Sequence, residues 1–224
     1  MKNQDLDELM KILENPDELK KQVFNPGKTI NEKKVDDIFS MNVPYEDIQK
    51  IVFKSRDKIF ANISGDSPKP HFEHVGSTSI KDMPGSLSPD ALMIEKTFPP
   101  SRSTVAAILA AGFFFQSVAP HDPEDLWFWK MLNEGPCKGK ALTLHLLPEG
   151  SKFAKLMVLT RDTCNNDKEA FEEYRQDKMA ARGSQGTSLF DYKMKKSTGS
   201  FINKMREKVG LPAFEASNWS KYQK

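Results

Sequence analysis

His74-Val75-Gly76-Ser77-Thr78-Ser79 is the stretch that decides the fold, read together with Asp90-Ala91-Leu92-Met93-Ile94 after it. A short β-branched run enters a Gly-Ser-Thr turn, a Pro/Gly loop follows, and a carboxylate heads the next apolar run. Glycine permits a tight turn and a close approach of the backbone to a ligand. Ser77 and Thr78 set hydroxyls beside backbone amides, and a helix starting there would add a partial positive charge for an anion. Asp90 would then stand at the head of a strand, where a metal ligand for phosphoryl or nucleotidyl chemistry belongs.

Working outward, strands are expected at His71–Val75, Asp90–Ile94, Phe113–Val118 and Leu126–Leu132, and period-2 alternation marks a further strand at Leu142–Leu146. In the last, the leucines face one way and Thr143 and His145 the other. Trp127 and Trp129 share a strand face, and the reading favours sheet packing for them over base stacking. Helical stripes run through Leu6, Leu9, Met10 and Leu13, then through Ile48, Ile51, Val52, Ser55, Ile59 and Ile63. Ser103 is expected to cap a helix reaching Ala111, with Gly112 ending it. Asn166 or Asp167 is expected to cap a helix that puts Tyr174 and Lys178 on one face, four residues apart. A last helix is expected over Thr198–Val209. Phe153–Thr160 reads as apolar, running into Arg161-Asp162, and Asp191–Lys196 reads as basic. Asn25-Pro26-Gly27 and Gly65–Pro70 read as breaks.

The pattern gives an α/β (α+β) chain with three parts: a helical arm over 1–40, a mixed-sheet domain over 41–210 and a tail over 211–224. The 224 residues carry 33 basic and 31 acidic side chains, a net charge of +2. That balance gives no reason to expect nucleic acid or a membrane surface as partner. No apolar run approaches the roughly 18 residues of a membrane span, and the polar, acidic start is unlike a signal peptide. A cytoplasmic location is expected. Cys137 and Cys164 form neither a metal-ligand pattern nor a disulfide framework, so free thiols are expected.

An ordered series of short motifs resembles the GrpB (UPF0157) family of the nucleotidyltransferase-like superfamily. It runs through Pro44-Tyr45, His74 to Thr78, the loop with Pro84-Gly85, Asp90, His145, Arg161-Asp162, Tyr174 with Lys178, and Phe201-Ile202, covering roughly 43–209. The resemblance implies a nucleotidyltransferase-like mixed sheet flanked by helices. It implies a Gly-Ser turn for a nucleoside triphosphate, so Gly76, Ser77, Thr78, Arg161, Lys178 and Lys196 are candidate phosphate contacts. Asp90 and His145 are the candidate catalytic and metal-binding pair, with Mg²⁺ or Mn²⁺ as cofactor and His74 or His121 as further ligands.

Two departures qualify that expectation. Active members of the superfamily carry Asp-x-Asp on the first strand, whereas here Ala91 and Leu92 follow Asp90. On the later strand, where a third carboxylate would come, stands His145. An Asp/His pair suits Mn²⁺ or Zn²⁺ better than Mg²⁺. Two readings follow: metal-dependent nucleotidyl transfer to a small acceptor, or a non-catalytic nucleotide- or anion-binding module whose metal site has decayed. A recruited small-molecule activity on the same fold is a third. The partner in each case is a nucleotide or another small molecule.

Overall fold

The computed structural model describes residues 5–23, 34–63, 69–120 and 122–215. His121, the Asn25-Pro26-Gly27 break, most of the Gly65–Pro70 break and the tail beyond Glu215 lie outside the described residues.

The centre is a five-stranded mixed sheet, with strands in the order β2-β4-β7-β6-β5. Here β2 is His71–Val75, β4 Asp90–Glu95, β5 Phe114–Ala119, β6 Asp122–Met131 and β7 Ala141–Pro148. Strands β4 and β7 run parallel; β6 is antiparallel to both β7 and β5. One face carries Ala91, Met93, Leu126, Phe128, Leu142, Leu144 and Leu146, all buried. The other carries Asp90, Leu92, Trp127, Trp129, Thr143 and His145. This is the alternation expected for β7, and cross-strand pairing extends it to β4 and β6. A separate two-stranded ladder pairs β1 (Phe39–Ser40) with β3 (Gly85–Ser86).

Helices occur in both units of the chain. Helix α3, Tyr45–Ala61, buries Ile48, Val52, Ser55 and Ile59, the stripe read from sequence. Helix α4, Arg102–Ala110, is capped by Ser101, not Ser103, whose hydroxyl accepts from the Thr104 amide at 3.2 Å. Two short helices, α1 (Leu6–Leu13) and α2 (Pro16–Lys20), precede them, each capped by the Asp or Asn before it. Phe153–Thr160 lies inside α5, Lys152–Asn166, a 15-residue helix that also contains Arg161-Asp162. Helix α6, Lys168–Arg182, is capped by Asp167 as expected and buries Tyr174, Lys178 and Ala181. Asp191–Lys196 is helical too, within α7, Leu189–Ser197, where Ser188 caps the Asp191 amide. Helix α8, Ser200–Lys208, buries Phe201 and Met205. Among the described residues no helix is long and apolar enough to cross a membrane.

The chain clusters into two compact units. The first comprises Met1–Phe24, Glu46–His74 and Ser88–Ser151; the second Asn25–Tyr45, Val75–Leu87 and Lys152–Lys224. The second has its own apolar core, in which Ile80 and Met83 meet Leu156, Cys164, Tyr174, Phe201 and Met205. A smaller cluster joins Val35, Ala181, Leu189 and Tyr192. Cys137 and Cys164 are free and buried; burial raises their thiols to about 11 and about 12.

Candidate functional site

In the first unit, strand register assembles a charged cluster. Leu92 of β4 pairs with His145 of β7, and His145 pairs with Trp127 of β6. Asp125 lies two residues before Trp127 and therefore shares its face. The Asp125 carboxylate accepts from Nδ1 of His145 at 2.9 and 3.1 Å, and from the indole N–H of Trp127 at 2.8 Å. The Trp127 ring meets the imidazole edge-on, with centroids 5.7 Å apart. Nε2 of His145 stands 3.8 Å from Oδ1 of Asp90.

Burial grades this cluster. Asp125 is fully buried, the His145 side chain is 8% exposed and that of Asp90 32%. Burial alone pushes the imidazolium toward losing its proton. The Asp125 carboxylate, by charge and hydrogen bond, and Asp90 after it more than reverse this and raise His145 to about 10. Both carboxylates thus favour the protonated ring, which Asp125 clamps through Nδ1 while Nε2 faces Asp90.

This chemistry bears on the metal expected from the resemblance. Nδ1 of His145 is committed to Asp125, so Nε2, 3.8 Å from Asp90, is the ring nitrogen that a metal would have to use, and only once it had given up its proton. Asp125 is itself occupied by two donors. Among the described residues no group of three His, Cys, Asp or Glu is arranged to hold a metal ion. His74 is buried on β2. The residues present therefore do not fit a divalent ion of the kind that uses two or three carboxylates. Within the cluster Asp90 is the carboxylate with an exposed edge, Asp125 is fully buried and Leu92 is apolar.

In the second unit, the Gly-Ser-Thr segment forms a three-residue 3₁₀ turn over Ser77–Ser79, not the start of an α-helix. Gly76 has φ +71°, a left-handed conformation that glycine adopts without strain. The amides of Ser79 and Ile80 are used within the turn, donating to Gly76 O and Ser77 O. No helix dipole supports the turn. Asn165 of α5 pins it, accepting from the Lys81 amide and donating to Ser79 O, both at 3.1 Å. Gly76 is half-buried, Ser77 is 8% exposed and Thr78 is fully buried.

Lys178 reaches this turn. It is fully buried on α6, with Nζ 5.4 Å from the Tyr174 ring centroid. A Cβ placed on Gly85 would fall 2.5 Å from Lys178 Nζ and 3.1 Å from Ser77 Oγ. Gly85 thus leaves a space bordered by both an ammonium and a hydroxyl. The Tyr174/Lys178 face expected from four-residue spacing is the face that carries this ammonium. Arg161 sits on α5, its Nε donating to Asp162 at 2.7 Å, and Lys196 is half-buried in the last turn of α7. Gly76, Ser77, Thr78, Lys178, Arg161 and Lys196 belong to the second unit; Asp90 and His145 belong to the first.

Asp125 escaped the sequence reading. Its importance comes from cross-strand register, not from any local motif. The available signal was Asp125-Leu126-Trp127, a period-2 pair facing the same way as the strand histidine.

The family model described as GrpB protein matches residues 43–208. A crystal structure of GrpB from Enterococcus faecalis superposes with a TM-score of 0.56 at 14% identity, covering 84% of this chain and 100% of that one. At that identity the likeness is one of fold. A structure of the Cid1 poly(U) polymerase with MgGTP bound gives a TM-score of 0.35 at 12% identity, covering 71% of this chain and 51% of that one. No curated protein matches the chain.

Proposed function

Since this chain belongs to the GrpB family, we propose that it is a nucleotide- or phosphate-ester-binding module on a nucleotidyltransferase-like fold, in which Ser77 and Lys178 meet the anion without a pair of metal ions. One observation carries the reading. Leu92 and His145 are cross-strand partners beside Asp90, and Asp125 engages Nδ1 of His145 at 2.9 Å. An isobutyl group and an imidazolium thus stand where a two-metal transferase needs its second and third carboxylates.

The phosphate end is supported from the second unit. Lys178 Nζ and Ser77 Oγ converge on Gly85, and Gly76 is the half-buried edge along which an anion would enter. A lysine ammonium is a compact point charge suited to phosphate. Displacing its present neighbours by a phosphate oxygen gives a charge-assisted hydrogen bond in a region of low dielectric.

The second reading is metal-dependent transfer, favoured by Asp90 itself. Its carboxylate is the most exposed member of the cluster, and its 3.8 Å separation from Nε2 is one that Mn²⁺ or Zn²⁺ could bridge if His145 gave up its proton. Titration with ATP, GTP, CTP and UTP, each with and without Mg²⁺ or Mn²⁺, separates the two. The binding module binds without metal and keeps its affinity in Asp90→Asn. Binding that requires metal and disappears in Asp90→Asn supports the transferase.

A further inference from the structure

The sheet face that carries Asp90 bears two cross-strand rows. Asp90, Thr143, Trp129 and Phe114 make one; Leu92, His145, Trp127 and Ser117 make the other. Neighbouring strands lie about 4.8 Å apart, so Asp90 and Trp129 flank Thr143 from positions about 10 Å apart. Threonine is the smallest side chain in its row. In register, Thr143 is a short side chain set between a carboxylate on one side and an indole on the other, with His145 and Trp127 in the adjoining row. Thr143, Trp127 and Trp129 are half-buried, and 32% of the Asp90 side chain is exposed.

Charge decides what such a trough accepts. Asp125 is matched at close range by Nδ1 of His145, at 2.9 Å. Asp90 is not matched so closely, since Nε2 stands at 3.8 Å. Two carboxylates surround a single imidazole, so the cluster is net negative whether or not the ring is protonated, and Asp90 is its exposed carboxylate. A phosphate would meet Asp90 and be repelled. A cation would gain the carboxylate and the negative faces of the tryptophans together.

We propose that the trough over Thr143, walled by Asp90, Trp129 and Trp127, binds the ammonium head of a small cationic ligand, a primary or quaternary amine. Asp90 supplies the counter-charge and the indoles supply desolvated aromatic surface. The trough lies in the first unit and uses neither Ser77 nor Lys178, so it stands or falls separately from the phosphate reading.

Choline and its uncharged carbon isostere, 3,3-dimethylbutan-1-ol, make the test. The full chain carrying Trp219→Phe is labelled with 5-fluorotryptophan, so that Trp127 and Trp129 give the fluorine NMR lines. Choline should shift the Trp129 line saturably, and the isostere should need a concentration about tenfold higher. Asp90→Asn should weaken choline about tenfold while the dispersed NMR spectrum shows the fold retained. Trp129→Leu should weaken it similarly, read from the Trp127 line. Equal shifts from choline and the isostere would overturn the proposal in favour of a plain apolar patch. So would indifference to Asp90→Asn, the absence of any choline shift, or a uridine shift of both lines that ignores Asp90, which would mark a base-stacking surface.

Discussion

Replacing Asp125 by Asn removes the charge that holds His145 while keeping the shape of the side chain. In the native protein the imidazolium is raised from 6.5 to about 10. A raised folded-state value contributes stability that is fully present below the unfolded value and is lost as pH climbs through the folded one. The window is therefore pH 6.5 to about 10. At about 1.4 kcal/mol per pH unit, that rise sets an upper limit of about 5 kcal/mol. Breaking a buried pair by removing one charge typically costs about 3–5 kcal/mol. Asp90 remains in the variant and retains part of the effect. Asp125→Asn should therefore be less stable than the native chain by about 3 kcal/mol near pH 6, with the gap closing to under about 1 kcal/mol as pH approaches 10. Urea unfolding at several pH values measures the gap, and the nitrogen shifts of the His145 ring report its charge directly. A gap that does not change across the window would refute the reasoning, since it would mean that His145 is neutral in the folded protein.

Three other perturbations follow from the packing. Gly85→Ala puts a methyl 2.5 Å from Lys178 Nζ, so the ammonium must move; a loss of about 1–3 kcal/mol by thermal melting and weaker phosphate binding by calorimetry are expected. Asp177→Ala removes the carboxylate that accepts from the Phe201 amide at 2.8 Å and caps α8 from a neighbouring helix, and should cost about 1 kcal/mol in denaturant unfolding. Cys137 and Cys164, raised to about 11 and about 12 by burial, should resist iodoacetamide at pH 8 in the native chain and react in urea, as followed by mass spectrometry.

What the sequence made legible follows from the range of each signal. The period-2 leucines of β7 placed His145 opposite them, and the four-residue spacing of Tyr174 and Lys178 placed both on one face of α6, which the structure shows to be buried. Both are local patterns, set by backbone geometry. Asp125 could not be read in that way, because it meets His145 only when β6 pairs with β7, 20 residues apart in the chain. Helix α5 was obscured because Phe153–Thr160 is apolar in a run; its helical signal is the four-residue spacing of Leu156, Thr160 and Cys164, all buried. Helix α7 did carry a local signal, Ser188 three residues before Asp191, masked by its lysines. The Gly-Ser-Thr turn was located correctly but gives a 3₁₀ turn, because Ile80 and Met83 are drawn into the core of the second unit before an α-helix can propagate.

The most direct test of the central claim is calorimetric titration of the purified chain with ATP, with and without Mg²⁺, in the native form and in Lys178→Met and Asp90→Asn. The account predicts binding that does not need metal, is abolished in Lys178→Met and persists in Asp90→Asn. Binding that appears only with Mg²⁺ and vanishes in Asp90→Asn would contradict it and return Asp90 to the centre of a metal-dependent transferase.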